Sequence, residues 1–239
     1  MNKEKIANIA SKIIEEKVHG IEFYDENMFR QLIDRVSTIL DGLDLLNCND
    51  TEKIFKVNEF LKNNVKVRKS YFDAFREEIP EIPQSELVYR TAYGALVMGE
   101  AMCAGYTEAA RILLEISGLQ TQTLLSKLPG KNKYLLHYVT AIKYDRGSGR
   151  DYYIMDPERE KSCEEKGFDF RRYLMEMTYI KPEEYFFEHK VGKNGVGPSA
   201  EEYLTKINPQ HVLSKNNVDE LFNQKDELLW EFYIKTLII

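Results

Sequence analysis

The chain reads as an α+β protein in which one helix packs on an antiparallel sheet and further helices are added at both ends. Three observations predict this. Apolar residues recur at helical spacing through the first sixty or so positions. A compact amphipathic segment follows Cys103. Two runs rich in aromatic and branched residues, over 134–144 and 151–156, flank a turn-type cluster at 145–150.

Taken in order, residues 3–18 place Ile6, Ile9, Ala10, Ile13, Ile14 and Val18 on one stripe, with Gly20 beyond. Residues 25–46 place Phe29, Leu32, Ile33, Val36, Ile39 and Leu40 at the same spacing. Asp50 or Thr51 caps a third helix that runs to about Asn64. Two prolines within 79–83 then break the chain. After Cys103, the residues Tyr106, Ala109, Ala110, Leu113, Ile116 and Ser117 share one face, and Gly118 stops the helix. Glu108, Arg111 and Glu115 lie on the other side, spaced to pair across one turn. Beyond 156, residues 168–170 and 179–180 precede a break at Pro182. A glycine-rich loop at 192–198 separates a C-terminal helical segment. This gives three parts: a helical N-terminal extension at 1–50, a core at 51–190 and a C-terminal helical segment at 191–239.

Cys103 stands at or just before the first helical position. Open backbone N–H groups and the positive end of the helix dipole favour a thiolate there. Gly105 lets another backbone segment or a substrate approach the first turn. His137 lies on the first strand of the hairpin, on the face shared by Leu135, Val139 and Ala141. Asp156 ends the second strand ahead of Pro157. The midpoint of 137 and 156 falls at 146.5, inside the turn cluster. A hairpin folded there makes His137 and Asp156 cross-strand neighbours, with Cβ atoms about 5 Å apart. A thiol, an imidazole and a carboxylate in this order are the parts of a thiolate nucleophile, its base and the group that orients the base.

The segments Tyr93-Gly94-Ala95-Leu96-Val97 and Met102-Cys103-Ala104-Gly105-Tyr106, then His137, then Tyr152-Tyr153-Ile154-Met155-Asp156-Pro157, resemble the transglutaminase-like superfamily of papain-like thiol enzymes. The resemblance spans about residues 51–160, and Ile54 to Val65 is similar to the helix ahead of that family's nucleophile. It implies a papain-like, transglutaminase-like core with a Cys103–His137–Asp156 triad. The implied chemistry is acyl transfer through a cysteine thioester. Tyr93 is the candidate for a further oxyanion or substrate contact. Hydrolysis of an amide or peptide bond, amine transfer to a glutamine side chain, and a non-catalytic protein-binding module on the same fold are all compatible with it. The chain departs from the family's His-Ala-Trp-Asn at His137-Tyr138-Val139-Thr140, and from its Asp-Pro-Thr at Asp156-Pro157-Glu158. Val97 stands six residues before Cys103, where papain-type enzymes carry a glutamine.

Composition narrows the partners. Hydrophobic residues make up 43% of the 239, enough for a sizeable core. A net charge of −6 disfavours nucleic acid, which calls for a basic face. No run is long enough for a membrane span, and the N-terminus lacks a long apolar signal core. A cytoplasmic protein acting on a protein or peptide substrate is expected, with neither nucleic acid nor membrane as partner. The three cysteines, Cys48, Cys103 and Cys163, fit a reducing compartment without a disulfide framework. Cys48 and Cys163 lack a helix-start setting and are read as non-catalytic. His19, His189 and His211 are scattered, and no pair has metal-ligand spacing. No glycine-rich phosphate loop occurs. No metal and no cofactor are expected.

Overall fold

The computed structural model describes residues 2–15, 25–68, 84–127, 136–144, 151–167 and 178–180. The turn at 145–150, the proline break at 79–83, the loop at 192–198 and the C-terminal helical segment lie outside them. So do His19, His189 and His211. Among the described residues no helix is long and apolar enough to cross a membrane.

The N-terminal stripes become α1 (Lys3–Glu15) and α2 (Glu26–Gly42). Asp25 caps α2 by accepting from the Met28 N–H. A short 3-10 turn, Leu45–Asn47, leads into α3 (Asp50–Asn64). Its cap is Asn49, one residue ahead of the expected pair. Asn49 accepts from the Glu52 N–H while the Glu52 carboxylate accepts from the Asn49 N–H. The reciprocal pair satisfies two open donors at once, which Asp50 could not do from inside the helix.

The chain leaves α3 into a two-residue strand, β1 (Lys66–Val67). After α4 (Gln84–Leu87), a 3-10 turn at Val88–Arg90 and a π turn at Gly94–Met98, it forms β2 (Glu100–Ala101), parallel to β1. Then comes α5 (Cys103–Ile116). The main sheet holds β3 (Gln120–Lys127), β4 (Leu136–Tyr144), β5 (Asp151–Met155) and β6 (Thr178–Ile180). Its order is β5-β4-β3-β6, antiparallel throughout. Between β5 and β6 lies α6 (Pro157–Lys166).

α5 is the central element. It packs on β3 and β4 on one side and against α1 and α3 on others. Ile6 and Ala10 of α1 and Leu32 and Val36 of α2 share one apolar cluster with Ile112 and Leu113 of α5 and Val139 and Ile142 of β4. Full burial of a Leu or Ile side chain contributes about 1.5–3 kcal/mol. α1 and α2 therefore support the same core that carries Cys103.

The polar side of α5 is not a solvent face. Glu108 and Arg111 are both buried. Arg111 donates to Thr121 and Thr123 on β3 and to Glu115 one turn on. Glu108 accepts from the Ala92 N–H. The helix is amphipathic, but its polar side meets a strand and an adjacent loop, where each polar group finds a partner.

Gly105 explains the close packing at the start of this helix. A Cβ added there would sit 2.7 Å from the Tyr89 carbonyl oxygen, 2.8 Å from that of Thr91 and 3.0 Å from the Ala101 Cβ. Backbone, not open space, fills the approach that the glycine permits. We expect Gly105→Ala to cost about 1–3 kcal/mol, the range for overpacking a rigid interior. Urea unfolding should show a lowered midpoint with an unchanged slope. Full retention of the midpoint would mean that the 88–91 segment yields easily.

Candidate active site

Four separate fixings place Cys103. β2 is held by its ladder with β1. Met102 donates its N–H to the Tyr89 carbonyl at 2.7 Å. Gly105 lies against the 89–91 backbone. The Tyr106 hydroxyl donates to the Val65 carbonyl at 2.7 Å, tying the first turn of α5 to the end of α3. Cys103 is the first residue of α5, so its own N–H and those of the next two residues have no helical carbonyl four positions back. Its side chain is half-buried.

His137 projects from β4, whose Cα partner at that point is Ser126 of β3. The His137 and Asp156 side chains are each 2% exposed. His137 Nε2 and Asp156 Oδ2 lie 2.8 Å apart. With Nε2 held by Asp156, Nδ1 is the ring nitrogen left for the Cys103 thiol. Cys103, His137 and Glu158 have ligand-type atoms within 4.8 Å of one another.

The hairpin reaches this geometry by a different register from the expected one. Thr140 faces Met155 where a midpoint of 146.5 would have it face Tyr153, so the fold lies midway between 140 and 155, at 147.5. The pairing is displaced by two residues, and an even displacement keeps side chains on the same face. Asp156 has also left the strand. It is the N-cap of α6, with its Oδ1 accepting from the Arg159 N–H at 3.1 Å. His137 and Asp156 thus meet where the ladder ends, not as a directly opposed pair within it.

The other cysteines sit in different settings. The Cys48 thiol donates to the Asp44 carbonyl in the turn after α2. Cys163 is buried in α6, and burial, reinforced by the Asp156 carboxylate, pushes its thiol pKa up. The Tyr93 hydroxyl donates to Gln31 of α2 at 2.9 Å. Glu158 is the residue that sequence reasoning missed as a site component. It was visible only as a departure from threonine. Its position follows from helix-start chemistry: Asp156 caps, Pro157 occupies the first helical position, and Glu158 falls in the first turn, buried beside the thiol.

Burial by itself would lower the His137 pKa. The charges of Asp156 and Cys103 and the hydrogen bonds to both outweigh it, and His137 is held well above its ordinary range. The site therefore favours the imidazolium form of His137.

No protein-family model and no curated protein matches the chain. Among solved structures it is similar to one described as a TGase, with 14% identity and a TM-score of 0.45. That match covers 62% of this chain and 36% of the other, so the chain spans about a third of that protein's length. It is also similar to Legionella pneumophila LapG, with 14% identity, a TM-score of 0.38, and 66% of this chain and 74% of that one covered. A calcium-bound form of LapG gives 13% identity, the same TM-score and the same coverage. Likeness at this level carries no information about activity or substrate.

The raised His137 pKa has a sign that unfolding can read. Stability from the imidazolium is fully present below the unfolded value, about 6.5. It is lost as pH rises through the higher folded value. We expect the denaturation midpoint to fall as pH is raised above about 6.5. Asp156→Asn should flatten that dependence while keeping the α6 cap, since Asn caps as well as Asp. An unchanged profile in the variant would separate the shift from the His137–Asp156 contact.

Proposed function

We propose that this protein is a thiol-dependent acyl-transfer enzyme with a transglutaminase-like, papain-like core, which hydrolyses an amide or peptide bond through a Cys103 thioester. The observation that carries the reading is the 2.8 Å contact between His137 Nε2 and Asp156 Oδ2, with the ring beside a cysteine that heads a buried helix.

His137 Nδ1 carries the proton given up by the Cys103 thiol, so that a thiolate faces the imidazolium. Sγ attacks the carbonyl carbon. The tetrahedral oxyanion forms near the open end of α5, where the Cys103 N–H is a donor. One such donor is worth about 2.7–4 kcal/mol of barrier in comparable sites. As the C–N bond breaks, Nδ1 returns its proton to the leaving amine. Water then attacks the thioester carbonyl, losing a proton to His137, and the acid departs as Sγ is reprotonated. Asp156 accepts the Nε2–H throughout. It keeps the imidazole in the tautomer that presents Nδ1 to sulfur and stabilises its cation.

Water is the favoured second nucleophile because hydrolysis needs no second substrate site. An amine in the same place gives cross-linking by the same steps. The substrate class is a protein or peptide.

Activity-based labelling with a panel of acyl electrophiles, followed by mass mapping, tests the proposal. Modification is expected at Cys103 and abolished in Cys103→Ala. Asp156→Asn should slow Cys103 labelling by about 10²–10⁴-fold, since an amide supports the imidazolium poorly.

Iodoacetamide gives a second check that needs no substrate. At pH 6 Cys103 should alkylate well before Cys48 and Cys163, because helix start and imidazolium both favour its thiolate. Equal alkylation of all three in the folded protein would remove the case for an activated nucleophile and leave a binding module.

A further inference from the structure

Glu158 has no part in the acyl-transfer steps, yet it is 8% exposed and lies within 4.8 Å of both the thiol and the imidazole. A carboxylate so close to sulfur opposes a thiolate by like charge. The surroundings are already acidic. One imidazole is thus set among a sulfur and two carboxylates. A thiolate, a neutral imidazole and a carboxylate brought together in this way are a donor set for a divalent cation.

We propose that Cys103, His137 and Glu158 form a three-ligand zinc site that closes the thiol off when it is filled. The inference rests on the same side chains as the proposed acyl transfer and adds a means of regulating them.

The donor set is one sulfur, one nitrogen and one carboxylate oxygen, all from classes that bind zinc, and the sulfur and nitrogen disfavour calcium and magnesium. A tetrahedron with zinc–ligand bonds of about 2.0–2.3 Å has edges of roughly 3.3–3.8 Å. The three donors already lie within 4.8 Å of one another, so closure asks for at most about 1–1.5 Å of adjustment between them. The outer shell is also in place. A metal-bound histidine ordinarily gives its second ring N–H to a carboxylate, and Asp156 holds Nε2 at 2.8 Å. A thiolate and the Glu158 carboxylate offset the metal's two charges, with His137 neutral. The fourth position is left for water or another small ligand.

Cobalt(II) is the probe, titrated anaerobically into the full reduced chain. One equivalent should give a thiolate-to-cobalt charge-transfer band and tetrahedral visible bands, which zinc then abolishes. Cys103→Ala should lose the charge-transfer band. Glu158→Gln should weaken binding by about tenfold or more, and Asp156→Asn by about 10–100-fold, the usual effect of losing an outer-shell partner. If Glu158→Gln folds poorly, Glu158→Asp keeps the charge, shortens the reach and should also weaken binding. Cys48→Ser should leave the spectrum unchanged.

No charge-transfer band, a band that Glu158→Gln leaves intact, or one that disappears with Cys48→Ser would each overturn the site. Zinc should also protect Cys103 from iodoacetamide until EDTA is added, and unprotected alkylation at full occupancy would overturn the closure. The spectrum needs no turnover, so cobalt binding in a protein that no acyl electrophile labels would refute the acyl-transfer reading and leave the metal site standing.

Discussion

The absence of a side chain at Gly105 is the constraint on which the rest depends. Without a Cβ there, the first turn of α5 can lie against the carbonyls of Tyr89 and Thr91. That contact lets Met102 reach the Tyr89 carbonyl and Glu108 reach the Ala92 N–H. Cys103 is then fixed from both directions along the chain. A thiol on a loop would need its own ordering at each turnover. Here the ordering is part of folding, and the donors at the helix end face a place that the backbone has already defined.

Burying α5 on all sides would fail if its polar groups had no partners. Arg111 is the clearest case. Its guanidinium bonds Thr121, Thr123 and Glu115, and Thr121 in turn donates to Glu115 at 2.6 Å. The closed set ties α5 to β3 and therefore to the sheet that carries His137. A second polar set joins α3 to α6: Asn58 donates to Glu160 at 2.9 Å, and Lys62 bridges Glu59 and Glu164. Burial by itself would lower the Lys62 pKa, yet hydrogen bonds to Glu164 and Glu59 and the charge of Glu160 raise it overall. α6 is thereby registered against the helix that leads to β1, and Asp156 is brought to the same end of the molecule as Cys103.

Much of this arrangement was legible in local signals. The Cys103 helix announced itself by its apolar spacing, and it ends at Ile116, with Gly118 at φ +99° just beyond. His137 and Asp156 meet as the turn composition suggested. Their pairing differs by two residues, because a polar cluster marks where a chain turns and not which residues oppose each other. The buried polar side of α5 was illegible, since only tertiary packing decides what covers a charged stripe. β3 escaped because Gln120 to Lys127 mixes polar and apolar residues without a firm alternation. α6 escaped because nearly all its residues are charged or polar, leaving no apolar stripe. Its end signals were present all the same: Asp156 and Pro157 at the start, Lys166 and Gly167 at the finish.

Asp156 carries two duties with its two oxygens, one capping α6 and the other holding the imidazole. Fraying of that helix is therefore a chemical event as well as a mechanical one. When the first turn of α6 unwinds, the Arg159 amide is released and the carboxylate loses its fixed direction. The imidazole then loses its anchor in the same step. The local opening equilibrium of a single ten-residue helix becomes a multiplier on the concentration of protein in which the His137–Asp156 contact is intact. On the proposed acyl-transfer reading, anything that clasps α6 against α3 would act as an activator without touching a substrate, and anything that peels it away as an inhibitor at a distance.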